Sequence, residues 1–149
     1  MERKIITINR KAFHDYIVFE KYVAGIVLAG TEVKSIRQNG INLKDSFCSF
    51  SDGELFLYKA HISPYEHGNR YNHEPERIRK LLLNKRELLK ISQKVKKEGY
   101  TIVPIEMFFV QGLVKVEIAL VKGKKLHDKR DDITKKDQKR EMERASKIR

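Results

Sequence analysis

The feature of this sequence that most constrains the fold is a pair of β-rich segments separated by two residues. Segments 101–110 and 113–121 are dominated by apolar, aromatic and β-branched residues, and the dipeptide between them ends in glycine. A two-residue connection with glycine in second place is typical of a tight β-hairpin. In the second segment Lys115 and Glu117 alternate with apolar residues, which predicts a strand with one buried face.

Pro104 interrupts the first of these two segments. Proline has no N–H to donate to a sheet ladder, so we expect this strand to start at a sheet edge or to carry a bulge at Pro104. Simple alternation places four residues on one face of the strand and two on the other. The first group is Val103, Ile105, Met107 and Phe109, and the second is Phe108 and Val110.

Further short strands are predicted upstream of this hairpin. Gly25 interrupts a long β-rich run, which predicts either one strand bent at Gly25 or a pair of strands, while Asp52 and Gly53 predict the turn of a second hairpin. Because the strands are short, numerous and close in sequence, the pattern favours a mainly β fold with short helices. We expect a small antiparallel oligonucleotide-binding barrel over residues 1–121, with flanking helices. The predicted strands cover residues 16–29, 43–50, 54–62 and 77–83.

Two helices are predicted, and their ends are marked with different clarity. The first covers residues 32–38, with Thr31 as its N-cap. The second begins at Lys85, because Asn84 and Glu87 have the spacing of a capping box, and it ends at the next glycine. The expected apolar face of the second helix consists of Leu88, Leu89, Ile91 and Val95.

The C-terminal segment differs from the rest of the chain in composition. Residues 122–149 contain twelve Lys or Arg against six Asp or Glu, so they carry half of the formal net charge of +12. They have too few apolar residues to pack on the barrel, and we expect a basic tail that is disordered when free. From Asp131 onward the tail lacks Gly and Pro, which favours a helix once its charge is neutralised.

Charge and composition limit the class of protein. A net charge of +12 over 149 residues favours a polyanionic partner. No stretch approaches the roughly 20 apolar residues of a membrane span, and the N-terminal residues lack the apolar core of a signal peptide. The single cysteine, Cys48, cannot form an internal disulfide and is expected to be a small buried residue. We therefore expect a cytoplasmic protein with no membrane partner.

Residues with catalytic or metal-binding chemistry are sparse in this sequence. His61, His67 and His73 recur every six residues in a predicted loop, but six is not a helical or hairpin ligand spacing and no cysteine accompanies them. Neither a nucleophile with a matching base nor a glycine-rich phosphate loop is recognisable. We expect no catalytic residue, no metal and no cofactor.

Basic and aromatic residues are better candidates for a binding surface. Tyr16, Tyr65 and Tyr71 could stack on bases or riboses. Several cations lie on or next to predicted strands and could bind phosphates, although a generally solvated basic surface would have the same composition. These cations are Arg77, Arg79, Lys80, Lys115, Lys122, Lys124 and Lys125.

A series of short strings gives a more specific indication. Residues 9–12 (NRKA), 30–35 (GTEVKS), 79–83 (RKLLL), 122–125 (KGKK) and 128–130 (DKR) follow one another along the whole chain. Together they resemble the small protein B (SmpB) family of bacteria, whose members bind SsrA RNA, also called transfer-messenger RNA (tmRNA). The resemblance implies a barrel that brings the tRNA-like domain of tmRNA to ribosomes stalled without a codon in the decoding site. It also implies a tail that occupies the empty messenger channel.

The resemblance implies a set of site residues. The acidic residue that many members have before the Ala-Gly pair is replaced here by Val23, so that position cannot be carried over. Alanyl-tRNA synthetase and elongation factor Tu would be indirect partners, through tmRNA. The RNA-facing residues would be Asn9, His14, Leu82 and Lys115, with Glu32 and Lys34 near them. The ribosome-facing tail would comprise Lys122, Gly123, Lys124, Lys125, His127, Asp128, Lys129 and Arg130, followed by the cations Lys135, Lys136, Lys139 and Arg140.

Two other functions remain alternatives. One is a basic ribosome-associated structural or assembly protein with an oligonucleotide-binding barrel. The other is a small metal-dependent hydrolase that uses the loop histidines. Only the tmRNA-binding adaptor predicts tight, selective binding to a tRNA-like RNA together with a tail that is dispensable for that binding.

Overall fold

The structure is a computed structural model that describes residues 2–68 and 72–124. Within these residues the chain forms nine strands and three helices. The strands are β1 (Lys4–Ile8), β2 (Tyr16–Ile26), β3 (Ile41–Asn42), β4 (Phe47–Ser51), β5 (Glu54–Tyr58), β6 (His61–Ile62), β7 (Arg79–Leu82), β8 (Thr101–Val110) and β9 (Leu113–Gly123). The helices are α1 (Arg10–Asp15), α2 (Gly30–Arg37) and α3 (Lys85–Glu98).

Six strands close into an antiparallel barrel. Their spatial order is β8, β4, β5, β7, β2 and β9, and β9 pairs again with β8 to complete the ring. Strand β1 extends the sheet at the edge of β8, while β3 and β6 form a small separate sheet. The mainly β barrel expected from the sequence is therefore confirmed. Its interior is filled by fully buried side chains that include Ala24, Leu57, Met107, Val116 and Ile118.

Both hairpin turns have the predicted backbone. Val110 pairs with Leu113, and the turn residues between them, Gln111 and Gly112, have φ of 52° and 79°. Positive φ at both central residues is the geometry that suits the twist of a two-residue hairpin. The turn at residues 52–53 has the same property, with φ of 51° and 78°.

Strand β8 carries the bulge that Pro104 predicted, and the bulge overturns the predicted faces. The pairing of β8 with β9 shifts by one residue between Pro104 and Glu106. Beyond that shift the alternation is reversed, so Met107 points into the barrel while Val103 and Ile105 pack outside it, against Ala12 of α1. The prediction that these three β8 residues share a face is wrong, because it assumed an unbroken period of two.

Residues 2–15 contain a strand and a helix, although the sequence predicted no element there. Strand β1 and helix α1 are each too short to show a clear period. Helix α1 packs Ala12 against Ala119 and Val121. The outer face of β9 is therefore buried at its C-terminal end. The prediction of one buried face for β9 therefore holds only around Lys115 and Glu117.

Helix α3 agrees with its predicted limits. The Asn84 side chain accepts a hydrogen bond of 2.8 Å from the Glu87 N–H, and Gly99 ends the helix with φ of 71°. One residue of the predicted apolar face is misplaced. Leu89 is 61% exposed, whereas Ile91 is fully buried. The apolar face by which α3 packs against the barrel is therefore narrower than its sequence predicted.

Helix α2 begins two residues earlier than predicted, at Gly30, and Thr31 is not its cap. The Glu32 carboxylate instead accepts a hydrogen bond of 2.7 Å from the N–H of Ala29. The Thr31 hydroxyl lies 2.9 Å from Nδ1 of His73. A glutamate in the first turn thus satisfies the N–H of the N-cap residue itself.

Four predicted strands are shorter than expected. Asp45 and Lys59 both have φ of 62°, which interrupts the extended backbone, so β4 begins only at Phe47 and β5 ends at Tyr58. Strand β2 passes through Gly25 and ends at Ile26, and β7 is confined to Arg79–Leu82. Gly25 is the residue at which β2 has β9 on one side and β7 on the other.

Candidate nucleic-acid interface

One row of residues crosses four neighbouring strands on the outside of the barrel. Phe108 of β8 pairs with Lys115 of β9, Lys115 pairs with Gly25 of β2, and Gly25 pairs with Leu82 of β7. We call these four residues the Lys115 strip. Two of the residues that the resemblance assigned to RNA, Lys115 and Leu82, are therefore neighbours across a single glycine, although they are 33 positions apart in sequence.

Gly25 leaves a notch in the middle of this strip. A Cβ atom at this position would lie 3.3 Å from Cβ of Leu82, which is tighter than an ordinary carbon–carbon contact. Leu82 is 50% exposed, and Val23, two residues before Gly25, is 42% exposed. The strip therefore presents one lysine within an apolar surround and an accessible backbone at its centre.

Arg3 forms ion pairs with the two carboxylates beside the strip. Its guanidinium lies 4.0 Å from the centre of the Phe108 ring and 3.4 Å from both Glu106 and Glu117. None of the ion pairs formed among residues 2–68 and 72–124 includes Lys115. The ammonium group of Lys115 is thus available to an external anion. The sequence offered no signal for Arg3, because its partners lie more than 100 positions away.

Other residues assigned to RNA surround the barrel rather than joining the strip. Lys80 pairs with Glu54 at 2.9 Å, and the strongly exposed His14 lies 2.9 Å from the Asp15 carboxylate. Lys34 lies 5.5 Å from the centre of the Tyr65 ring. At the far end of β9, Lys122 lies 4.8 Å from the Tyr100 ring centre, and Lys124 donates to the Phe13 carbonyl at 3.0 Å.

Three residues assigned to the RNA-binding site are buried, although Asn9 was expected to face the RNA, Glu32 to lie near it and Arg79 to bind a phosphate. Asn9 caps α1 by accepting from the Ala12 N–H, and its amide donates to the Leu43 and Pro104 carbonyls at 3.2 and 2.8 Å. Glu32 and Arg79 are both fully buried. A charge taken out of water needs a partner of opposite sign, and these two provide it for each other.

Glu32 is the centre of a buried ion cluster. Arg79 Nε donates to its carboxylate at 2.5 Å, and Arg77 Nη2 donates at 2.6 Å. Burial raises the pKa of Glu32, but the hydrogen bonds from Arg77, the Ala29 N–H and Arg79 outweigh it and hold the pKa below its ordinary value. Burial lowers the pKa of Arg79. The cluster ties α2 to β7, the strand that carries Leu82.

The loop histidines do not form a ligand cluster. Nε2 of His73 donates to the Ile62 carbonyl at 2.8 Å, and its Nδ1 is bonded to Thr31, so both ring nitrogens are used. The His67 ring lies against Tyr65, with 5.4 Å between ring centres. Within residues 2–68 and 72–124, no three His, Cys, Asp or Glu side chains are grouped as metal ligands would be.

The predicted tail is mostly beyond the described residues. Gly123 ends β9, paired with Tyr16, and Lys124 follows it. In the part of the chain that the structure describes, no helix is long and apolar enough to cross a membrane. The tail residues that lie outside the described part are Lys125, His127, Asp128, Lys129, Arg130, Lys135, Lys136, Lys139 and Arg140.

The closed barrel, with Lys115 on its outer face and a net charge of +12, defines a class, the small nucleic-acid-binding β-barrel proteins. The sequence profile of the SmpB protein family matches residues 6–148. The chain belongs to the SmpB family, as the short strings in its sequence predicted.

Similar proteins match this chain over nearly its whole length. An SsrA-binding protein of Geobacter metallireducens is 54% identical over 145 residues, which are 97% of this chain and 95% of that protein. An SsrA-binding protein of Carboxydothermus hydrogenoformans is 54% identical over 146 residues, 98% of each chain. A chain from a solved structure described as "tmRNA-SmpB: a journey to the center of the bacterial ribosome" is 47% identical, with a TM-score of 0.67. That match covers 79% of this chain and 83% of the other.

Proposed function

We propose that this chain binds the tRNA-like domain of tmRNA through the Lys115 strip and brings that RNA to stalled ribosomes. The observation that carries the proposal is Lys115 itself, a lysine without an ion-pair partner among the described residues, in an apolar strip on a chain of the SmpB family. The chain would act as an adaptor rather than an enzyme, in the cytoplasm, with the decoding centre of the small ribosomal subunit as its second partner. Alanyl-tRNA synthetase and elongation factor Tu would be reached only through tmRNA.

The chemistry of the strip suits a folded RNA. An ammonium group in an apolar surround forms a strong, charge-assisted hydrogen bond with a phosphate oxygen. The exposed side chains of Leu82 and Val23, and the open backbone at Gly25, can pack against a sugar or the face of a base. Contacts of this kind recognise the shape of an RNA and its unstacked loop bases more than its sequence.

The three buried residues would act by positioning this surface. Asn9 joins α1, which carries His14, to the bulge of β8. Glu32 and Arg79 join α2, which carries Lys34, to β7. These three residues would therefore support the proposed site without contacting the RNA, since none of their side chains reaches the surface.

The tail is proposed to be a second functional unit. Residues 1–121 would form the RNA-binding barrel, and residues 122–149 would enter the empty messenger channel. The support is compositional, because a net charge of +6 in 28 residues favours a surface of ribosomal RNA. Binding there would offset the cost of ordering the tail, partly through release of counterions from that RNA.

Substitution of Lys115 tests the proposed site. Lys115→Glu replaces a phosphate-facing cation by an anion, and we expect it to weaken binding of the tRNA-like domain by on the order of 1–3 kcal/mol, or roughly 5- to 150-fold. Affinities are compared at equal salt, with circular dichroism to verify the fold. Lys90→Glu, the same charge change at an exposed position of α3, is the matched control. Equal losses in the two variants would mean that only net charge matters and would remove Lys115 from the site.

A further inference from the structure

An open cleft lies at one end of the barrel, around the edge from the Lys115 strip. Its volume is about 520 Å³, within the range of small-molecule sites. It lies between the C-terminal end of α2, strand β1 and the turn of the β8–β9 hairpin, and its walls include Lys4, Ile6, Arg37, Asn39 and Phe109. None of these residues was assigned a part in the site described above.

Arg37 and Phe109 lie on opposite sides of this cleft and are not in close contact. The Arg37 guanidinium carbon lies 5.9 Å from the centre of the Phe109 ring, near the outer limit of a cation–π contact. Arg3 lies only 4.0 Å above the neighbouring Phe108, in full contact. A flat base inserted between the two groups needs about 7–8 Å, which is two contacts of about 3.5–4.0 Å each. The exposed Arg37 side chain therefore has to move by only ~2 Å to admit one.

The other walls of the cleft supply the groups that a nucleotide needs. Lys4 is exposed and pairs with Phe109 in the β1–β8 register, so its ammonium group can bind a phosphate beside a base stacked on the ring. Asn39 is exposed at the end of α2 and carries both a donor and an acceptor for a base edge. The two basic residues that line the cleft, Lys4 and Arg37, are both exposed and favour an anionic occupant.

The cleft can be reached from the Lys115 strip around the end of the β8–β9 hairpin. Phe108 and Phe109 are consecutive residues of β8, so their side chains lie on opposite faces of the strand. Gly112, in the hairpin turn, lines the cleft and lies three residues before Lys115. At about 3.3 Å per residue this is roughly 10 Å, so a flanking nucleotide of an RNA held at Lys115 can reach the cleft around the turn.

We propose that this cleft holds one unpaired base of the RNA bound at the Lys115 strip, stacked between the Arg37 guanidinium and the Phe109 ring, with Lys4 on a neighbouring phosphate. The inference rests on the proposed function and extends its RNA-binding surface around the end of the barrel. The occupant is a nucleobase rather than a phosphate alone, because an aromatic ring and a planar guanidinium stack on every base, whereas a phosphate gains nothing from the ring.

The test couples a protein substitution to the loss of a single base. The full-length chain, Arg37→Ala and Arg86→Ala are titrated with the tRNA-like domain, intact or carrying one abasic site at each unpaired position in turn. Arg86 is an exposed arginine of α3 and controls for the lost charge. We expect Arg37→Ala to weaken binding at least about fivefold, and Arg86→Ala about twofold at most. An abasic site at one of these positions should weaken RNA binding by the parent chain by a similar factor. The same abasic site should not weaken RNA binding by Arg37→Ala any further.

The outcomes separate the cleft from the site on which it depends. Equal losses for the two arginine variants, or abasic effects that simply add to that of Arg37→Ala, would overturn the stacking site. Either result could occur while the parent chain still binds the tRNA-like domain selectively. A parent chain that does not prefer this RNA over a length-matched control would contradict the proposed function itself.

Discussion

A chain cut after Lys125 is expected to bind tmRNA and to fail completely in tagging stalled peptides. The barrel should be intact, because β9 is paired with β2 from Lys115 to Gly123, its last residue. The bond from Lys124 to the Phe13 carbonyl is also retained. We expect the melting temperature to change little, and affinity for tmRNA to fall only by the electrostatic share of the tail, which shrinks as salt rises. Tagging is measured with a reporter that ends without a stop codon.

A single substitution tests whether the tail has to become helical. Lys139 lies near the middle of a run without Gly or Pro, and proline there costs a helix about 3 kcal/mol while costing an extended chain little. We expect Lys139→Pro to bind tmRNA normally and to lose tagging. Lys139→Ala removes the same charge and favours a helix, so it should retain most of the activity. Full tagging by the proline variant would show that the tail acts through charge alone.

The second large effect is expected at the buried ion cluster. Glu32→Gln leaves the buried Arg79 guanidinium without its counter-charge, and we expect it to reduce the free energy of unfolding by about 3 kcal/mol. Glu54→Gln is the matched control, because Glu54 pairs with Lys80 at the surface and should cost at most about 1 kcal/mol. Both variants are measured by urea unfolding at pH 7. A loss at Glu32 no larger than that at Glu54 would mean that Arg79 does not depend on this carboxylate.

The effect of Glu32 should also depend on pH in a defined direction. Its pKa is held below the ordinary value of 4.5, so the ionised carboxylate stabilises the fold above that pH. The contribution is lost as the pH falls through the depressed pKa of the folded state, where Glu32 becomes protonated and neutral like glutamine. The difference in stability between the parent chain and Glu32→Gln should therefore be largest near neutral pH and shrink below pH 4.5.

The parts of the fold that sequence predicted well are those with local signals. Asn84, Glu87 and Gly99 mark both ends of α3 within the helix itself, and the two-residue turns specify both hairpins. The alternation of β9 correctly identified its barrel-facing residues. Each of these features depends on residues that are close in sequence, so a pattern of two or four residues was enough to reveal it.

The errors come from contacts between distant residues. Arg79 was predicted to be a cation that could bind a phosphate, but Glu32, 47 positions away, provides a buried partner for it. Val103 and Ile105 point out of the barrel because α1 covers them there. That helix has one buried residue, Ala12, so its sequence shows no clear apolar pattern. The neighbourhood of Gly25, Leu82 and Lys115 follows from barrel closure, and the resemblance indicated two of these residues before the structure brought them together.

The central claim, that this chain selects tmRNA among cellular RNAs, is tested most directly by recovering the tagged chain from its native cells and sequencing the RNA bound to it. Lys115→Glu, recovered in parallel, is the control for RNA that binds through charge alone. We predict strong enrichment of tmRNA over its share of total RNA with the parent chain, and its loss with the variant. Ribosomal RNA in its ordinary proportions and no enrichment of tmRNA would contradict the claim and favour a ribosome-associated assembly protein.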